Sequence, residues 1–426
     1  MYQRLPVDAA SHGRAFSSGS RRPERNREIS GRPRRFAILR SMVFRHGRRR
    51  RSLVGVVLVA ALAAIDSSAM ASAPGEPSGP REKEEDALRY YDIRSLRMEG
   101  QGWTDLEAPF DRLPRHAKSR VRPRIWQLSR NPAGLCARFV TDATAIHARW
   151  TVGPELAMAH MPATGVSGLD LYVRNINGRW RRLAVGVPEG TTASATLVEG
   201  LAPDEREYLL YLPLYNTVSS VEIGVAAQAR LAAAPPRPAS KAKPIVFYGT
   251  SITQGGCASR PGMCHAAILG RRFDRPVVNL GFSSNGTMDL ELAELLAELD
   301  AAVYVVDCLP NMNAAMVSQR AEPFVRAIRA KRPTTPILLV EDRTFSDAFL
   351  ISGRADEHAA KRQALRRAFD KLSAEGDANL AYVSGDDLLA ADGEDTVDGS
   401  HPTDLGFVHL ADALQPTLEN LLEQSP

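Results

Sequence analysis

Four polar residues, far apart in the chain, have the types needed for nucleophilic acyl chemistry: Ser251, Asn311, Asp398 and His401. A serine hydroxyl is a poor nucleophile at neutral pH. It needs a base within hydrogen-bond reach, usually a histidine whose tautomer a carboxylate fixes. Asp398 and His401 stand three apart in Asp398-Gly399-Ser400-His401-Pro402. That spacing lets the carboxylate accept from the imidazole Nδ1–H while Nε2 faces elsewhere. A tetrahedral intermediate also needs donors for its oxyanion. The N–H of Ser251, an N–H from loop 283–286 and the side-chain amide of Asn311 are the candidates. Each feature has a plainer reading when taken alone. Gly249-Thr250-Ser251 reads as a turn, Asp-x-x-His before a helix as a cap, and Asn311 after Pro310 as a loop residue. Asp307 reads as a strand-end carboxylate accepting backbone N–H bonds from neighbouring loops.

The elements that must position these residues decide between the readings. Pro244-Ile245-Val246-Phe247-Tyr248 has the length and the β-branched and aromatic content of a buried strand, and Ser251 lies just past its end. From there strands at 244–248, 277–280, 302–306, 336–341 and 380–383 alternate with helices at 265–273, 290–299, 316–331, 356–374 and 403–422. This predicts an α/β fold, a doubly wound, flavodoxin-like parallel five-stranded sheet covered on both faces. Such sheets gather their chemistry beyond the carboxyl ends of the strands. Ser251, loop 283–286, Asn311 and the Asp398–His401 turn all fall at that rim.

Ahead of it, residues 91–235 read as an all-β sandwich of short strands with turns between them. Runs 135–142 and 144–152 read as a hairpin turning at Asp142-Ala143, with Ala137 and Phe139 on one face. Residues 231–243, rich in Ala, Pro and Lys, mark the boundary with the domain at 244–426. Residues 72–90 are Pro-, Gly- and charge-rich and read as a linker. All four tryptophans, Trp103, Trp126, Trp150 and Trp180, lie in the front region. They are candidates for stacking on sugar rings, with core filling the expected role of at least two.

At 426 residues the chain is long enough for two to three domains. The formal charge of +5 comes from one segment. Residues 1–71 hold fifteen Arg and no Lys against Asp8, Glu24, Glu28 and Asp66, a net of +11. The rest, with 39 basic and 45 acidic residues, is −6, which argues against a nucleic-acid surface. The segment reads as an export signal. Arg48–Arg51 precede the apolar stretch 53–64, and Ala69-Met70-Ala71 gives a small-x-small cleavage pattern with cleavage after Ala71. Twelve apolar residues fall short of the roughly 20 a membrane span needs, so no stable span is expected after cleavage. The arginines also suit twin-arginine export, and Met42 is an alternative start. In an exported chain a disulfide is permitted, and Cys257 and Cys264 are the pair expected to bridge. No Cys/His spacing suggests a metal site.

The four blocks, in this order, resemble the SGNH (GDSL-type) hydrolases. That family carries its serine in the first block, an oxyanion Gly and Asn in the second and third, and Asp-x-x-His in the last. In the first block Thr253 replaces the last Gly of the Gly-x-Ser-x-Gly elbow of α/β-hydrolases. The segment Gly168-Leu169-Asp170-Leu171-Tyr172 looks like the GxDLY domain that precedes one subgroup of exported SGNH esterases. The resemblance implies a serine esterase without metal or cofactor, with Ser251, His401 and Asp398 as triad and Ser251, Ser284 and Asn311 as oxyanion donors. It implies small acyl groups, often acetyl, on a carbohydrate or other small acylated substrate. One departure stands out. Ser284 occupies the place of the family's oxyanion glycine, where a β-carbon strains a loop built for glycine, and Gly286 is positioned to absorb the strain. That departure also motivates a rival, an inactive or weak carbohydrate-binding protein of the same fold. A lipase or thioesterase is a third reading, although loop 255–264 has no apolar run suited to a lipid-binding lid.

Overall fold

The computed structural model describes residues 87–423. The expected export signal and cleavage point lie outside them.

The front region holds strands β1 (Leu88–Asp92), β2 (Arg97–Glu99), β3 (Cys136–Thr141), β4 (Ile146–Val152), β5 (Leu169–Arg174), β6 (Trp180–Gly186), β7 (Thr192–Val198), β8 (Arg206–Tyr211), β9 (Val218–Ala226) and β10 (Leu231–Ala233). They form two antiparallel sheets, ordered β1-β9-β4-β7 and β10-β3-β8-β5-β6, with β2 added on β3. Short helices α1 (Pro123–Ser129) and α2 (Ala163–Val166) lie in the connections. Two expectations change here. Strand β1 begins at Leu88, inside the stretch read as linker, and pairs along its whole length with β9. Runs 135–142 and 144–152 are not a hairpin. β3 pairs with β8, β4 pairs with β7 and β9, and the chain crosses from one sheet to the other between them. The alternation was real, since Ala137, Phe139, Ile146, Ala148 and Trp150 all enter one core. Two strands facing that core from opposite sheets share the alternation that two hairpin partners would show.

The second region alternates strand and helix. Strands β11 (Ile245–Gly249), β12 (Val277–Gly281), β13 (Val303–Asp307), β14 (Ile337–Val340) and β15 (Leu380–Val383) form one parallel sheet in the order β12-β11-β13-β14-β15. The helices are α3 (Ser251–Gln254), α4 (His265–Phe273), α5 (Leu290–Leu296), α6 (Ala314–Lys331), α7 (Ser352–Ala374) and α8 (Asp404–Glu423). Along β11, Val246 and Tyr248 enter a core with α5, α6 and α7, while Ile245 and Phe247 enter one with α4 and α8. Burial on both faces explains why these strands read as unbroken apolar runs.

Neither core belongs to the sheet domain alone. Leu113, Ala117, Val121, Ile125 and Leu128 of the front region join the first, and Tyr172, Leu209, Tyr211 and Leu214 join the second. A closed ring of six charges adds to the seam. Arg138 pairs with Glu99 and Glu207, Arg237 with Glu99 and Asp274, and Arg174 with Glu207 and Asp274. Four of the six lie on β2, β3, β5 and β8, Arg237 on the connector, and Asp274 at the end of α4. The front region is thus built into the second one, not tethered to it.

Candidate active site

Register sets the site. Gly249 at the end of β11 lies opposite Gly281 of β12 and Asp307 of β13. The three strands therefore release their loops at one level. Gly286 packs so tightly on the end of β11 that a β-carbon there would sit 2.1 Å from the Gly249 carbonyl oxygen. Only glycine permits that approach.

Ser251 opens the one-turn helix α3, with Thr250 as N-cap accepting from the Ile252 N–H. Its Oγ lies 2.8 Å from His401 Nε2. His401 Nδ1 lies 2.8 Å from Asp398 Oδ2, and Asp398 Oδ1 accepts the backbone N–H groups of His401 and Ser400 at 2.8 and 3.1 Å. The turn thus fixes the carboxylate before the carboxylate fixes the ring. Partial burial opposes ionisation of Asp398, but the bonds from His401 and Ser400 outweigh it and hold its pKa below the usual value. The serine, imidazole and carboxylate expected from the sequence stand in one continuous relay.

The expected donors are also in place. Asn311 Oδ1 accepts the Gly286 N–H at 3.3 Å, which leaves Nδ2 to donate. The backbone N–H groups of Ser251 and Ser284 have no acceptor among the described residues. Ser284 adopts a left-handed backbone, φ 58°. The strain expected at this position is therefore real, and Gly286 does not absorb it. Gly286 serves close packing, and Ser284 itself holds the conformation that glycine would adopt at lower cost.

Several residues that hold the site carried no recognisable sequence signal. Tyr215, just after β8, donates from its hydroxyl to the Ser251 carbonyl at 3.0 Å. Gln254 donates to Leu214 O at 3.1 Å and accepts the Ser283 N–H at 3.1 Å, tying sandwich, nucleophile helix and oxyanion loop together. Arg122 donates to Asn285 Oδ1 and O at 2.8 and 2.9 Å, and to Asp289 at 2.7 Å. The motif residue Asp170 is fully buried and accepts from Arg260 at 2.7 Å and from the Gly262 N–H at 2.9 Å. It therefore grips the loop that follows Ser251. His160, on the loop after β4, lies with its ring 6.2 Å from that of His401.

Other expectations are corrected. Cys257 and Cys264 are free thiols, as are Cys136 and Cys308. Cys264 is fully buried in the core shared with α4 and α8, while Cys257 takes a left-handed φ of 75° beside Asp398. Burial raises both thiols, to about 12 for Cys257 and about 11 for Cys264. Asp307 accepts from the Arg343 guanidinium at 2.9 and 3.1 Å and does not gather backbone N–H groups. The tryptophans are all engaged inside the protein. Trp150 is buried and donates to Ser167 O, Trp103 donates to Glu298, Trp180 to Asp274, and Trp126 lies under Lys118 and Arg130.

The sequence agrees with this geometry. The GDSL-like lipase/acylhydrolase family matches residues 242–419, and the N-terminal domain of SGNH-hydrolase-type esterases matches residues 88–231. A Bacteroides ovatus protein described as a GDSL-like lipase is 33% identical over 79% of this chain and 98% of its own, with a TM-score of 0.75. The chain belongs to the GDSL-like lipase/acylhydrolase family. Two more distant structures share the fold. The salicylyl-acyltransferase SsfX3 of a tetracycline biosynthetic pathway is 19% identical over 80% of this chain and 98% of its own, TM-score 0.62. A family two carbohydrate esterase from Clostridium thermocellum is 13% identical over 79% of this chain and 99% of its own, TM-score 0.51. No protein of curated function matches the sequence. Among the described residues, no helix is long and apolar enough to cross a membrane.

Proposed function

We propose that the protein is an exported serine esterase that removes small acyl groups, chiefly acetyl, from carbohydrate. The observation that carries this reading is the relay from Ser251 Oγ through His401 to Asp398, 2.8 Å at each step, beside three unengaged donors. Ser251 Oγ attacks the ester carbonyl carbon while His401 Nε2 takes its proton. Asp398, kept ionised by its bonds to the turn, holds the imidazole and stabilises the imidazolium. The oxyanion is held by the N–H groups of Ser251 and Ser284 and by Asn311 Nδ2. The tetrahedral intermediate collapses, the C–O bond to the alcohol breaks, and His401 returns the proton to the leaving oxygen. Water, deprotonated by His401, then attacks the acyl-serine and releases the carboxylate.

The test is hydrolysis of p-nitrophenyl acetate by the wild type and Ser251→Ala. Turnover in the wild type that disappears in the variant is expected, and equal rates in both would remove the reading. Release of acetate from a panel of acetylated polysaccharides then names the alcohol. For export, the expected amino terminus of the mature protein is Ser72.

One observation favours a second reading, hydrolysis of longer acyl esters. Phe349 and Leu350 are 82% and 77% exposed on a loop tied to the triad's own turn by the Ser346 N–H, which donates to Gly399 O at 3.0 Å. This supplies an apolar run that loop 255–264 lacks. A chain-length series of p-nitrophenyl esters separates the two: a peak at acetyl supports the first, a peak at octanoyl or longer the second.

A further inference from the structure

We propose that Arg112 is a positioning residue for the oxyanion hole, holding from below the backbone turn that presents the Ser284 N–H and setting a positive charge behind it. This rests on the esterase reading above. The side chain is buried to 1% exposure. Its guanidinium donates to four backbone carbonyls, Asn131 at 2.6 Å, Leu128 at 2.8 Å, Asn279 at 2.9 Å and Gly281 at 2.8 Å. No carboxylate among the described residues pairs with it. Other deeply buried arginines differ in this. Arg343 has Asp307, Arg138 has Glu99 and Glu207, and Arg237 has Glu99 and Asp274.

Burying a cation without a counter-charge is unfavourable, and burial does push the Arg112 pKa down, to about 9. Its carbonyl partners offset this in part, since each presents the negative end of a peptide dipole. Two of the four, Asn279 O and Gly281 O, lie at the end of β12, where the oxyanion loop begins. The next residue, Phe282, has its ring 4.9 Å below the guanidinium. The Phe282 N–H donates to Gly249 O at 2.9 Å, and its carbonyl accepts the N–H groups of Asn285 and Gly286 at 2.8 and 3.1 Å. Ser284 lies inside that turn in its left-handed conformation. Arg112 therefore fixes Phe282, Phe282 anchors the turn, and the turn aims the Ser284 N–H. The negative charge that this cation lacks in the resting protein appears when the substrate carbonyl becomes an oxyanion. Fixed charge of this kind favours the transition state over the ground state, so it acts on kcat more than on KM.

The experiment compares wild type, Arg112→Lys, Arg112→Gln and Arg112→Met on p-nitrophenyl acetate. Active sites are counted in each by burst titration with a p-nitrophenyl alkylphosphonate, so unfolded protein does not enter kcat. Expected for Gln and Met is a loss in kcat per titrated site of about 10- to 100-fold, below the loss typical of removing a donor itself, with KM within about twofold. Arg112→Lys, which keeps the charge, is expected to recover at least tenfold of that loss. If only Arg112→Lys folds, the affinity of a methylboronic acid, which forms a tetrahedral anionic adduct on the serine, gives the second readout; it should fall in step with kcat/KM. Gln and Met variants with unchanged kcat per site would overturn the proposal. So would a Lys variant as impaired as Met, because charge would then have no part. Absence of turnover in the wild type would remove the esterase reading and this proposal with it, whereas wild-type turnover with indifferent variants removes the proposal alone.

Discussion

The rim of the parallel sheet and the seam between the two regions are both crowded with polar groups, yet they are wired differently. At the seam, each of the six charges in the Arg138–Glu99–Arg237–Asp274–Arg174–Glu207 ring has two opposite partners. At the rim, the Ser251 and Ser284 N–H groups have no acceptor, Asn311 uses its oxygen alone, and Ser251 faces an imidazole whose other nitrogen is already held. Saturated networks hold a fold together because each member loses a partner if any other moves. Unsaturated donors beside solvent contribute little to stability, and remain available to a charge that exists only during a reaction. The difference predicts that changes at the rim act on rate and changes at the seam on stability.

The sharpest break is Ser251→Ala. Turnover should fall by about 10⁴ to 10⁶. The unfolding free energy should move by less than about 0.5 kcal/mol, since no folded-state network is lost. Steady-state kinetics and urea unfolding on the same preparation check both halves. A comparable loss of stability would mean that the rim is part of the frame.

Asn311→Ala comes next. It removes one donor and releases the Gly286 N–H. The expected loss in kcat is about 10² to 10³, with KM changed by no more than a few-fold. A change confined to KM would place Asn311 in ground-state binding and not at the oxyanion.

How much of this was legible in the sequence follows the same division. Strands buried on both faces write themselves as apolar runs, so β11 to β15 and the level of their loops could be read directly. The triad residues then fell at strand ends, where their types became meaningful. The seam could not be read this way. Arg112, Arg122, Arg138, Arg237 and Arg260 are single arginines whose roles depend on carbonyls and carboxylates distant in sequence, and nothing periodic marks them. The GLDLY segment was visible as a motif, but the grip of Asp170 on Gly262 was not. Alternation at 135–152 gave the buried face and could not say which sheet each run joins. Cysteine spacing gave proximity in sequence for Cys257 and Cys264 and no geometry.

Asp274→Asn tests the seam. Asp274 ends α4 in a left-handed conformation, φ 50°, which asparagine also tolerates, so the substitution isolates the charge. Burial alone would raise its pKa, but Arg174 and Arg237 overcome this and hold it far below the usual carboxylate range. A depressed folded-state pKa gives stability that is complete above the unfolded value, near 4, and lost as pH falls through the folded value. At pH 7 the variant should be less stable by about 1 to 2 kcal/mol, less than for a fully buried pair because Asp274 is 28% exposed. The gap should hold down to about pH 5 and close in more acid solution. Thermal melts across pH 2 to 8 check this, and kcat per titrated site should not move. A gap that widens in acid would show that the ring does not stabilise through this carboxylate.

The smallest effect, and the finest test of the contrast, is Ser284→Gly. Here one residue carries both kinds of demand. Its N–H belongs to the rim, while its left-handed backbone, φ 58°, is a cost borne by the fold. Replacing serine with glycine relieves about 1 kcal/mol of steric strain, and the greater freedom of glycine in the unfolded chain returns part of it. A net gain of a few tenths to about 1 kcal/mol is expected by urea unfolding. The donor is unchanged, so kcat should stay within about twofold if rim and frame are separable at this residue. A large rise in kcat would instead mean that the serine side chain obstructs the oxyanion hole, and that the wild-type protein is a poor esterase because of this one β-carbon. A fall in kcat with a gain in stability would mean that the strained serine backbone is what aims the donor, and that Arg112 and Arg122 brace the turn against its own relaxation.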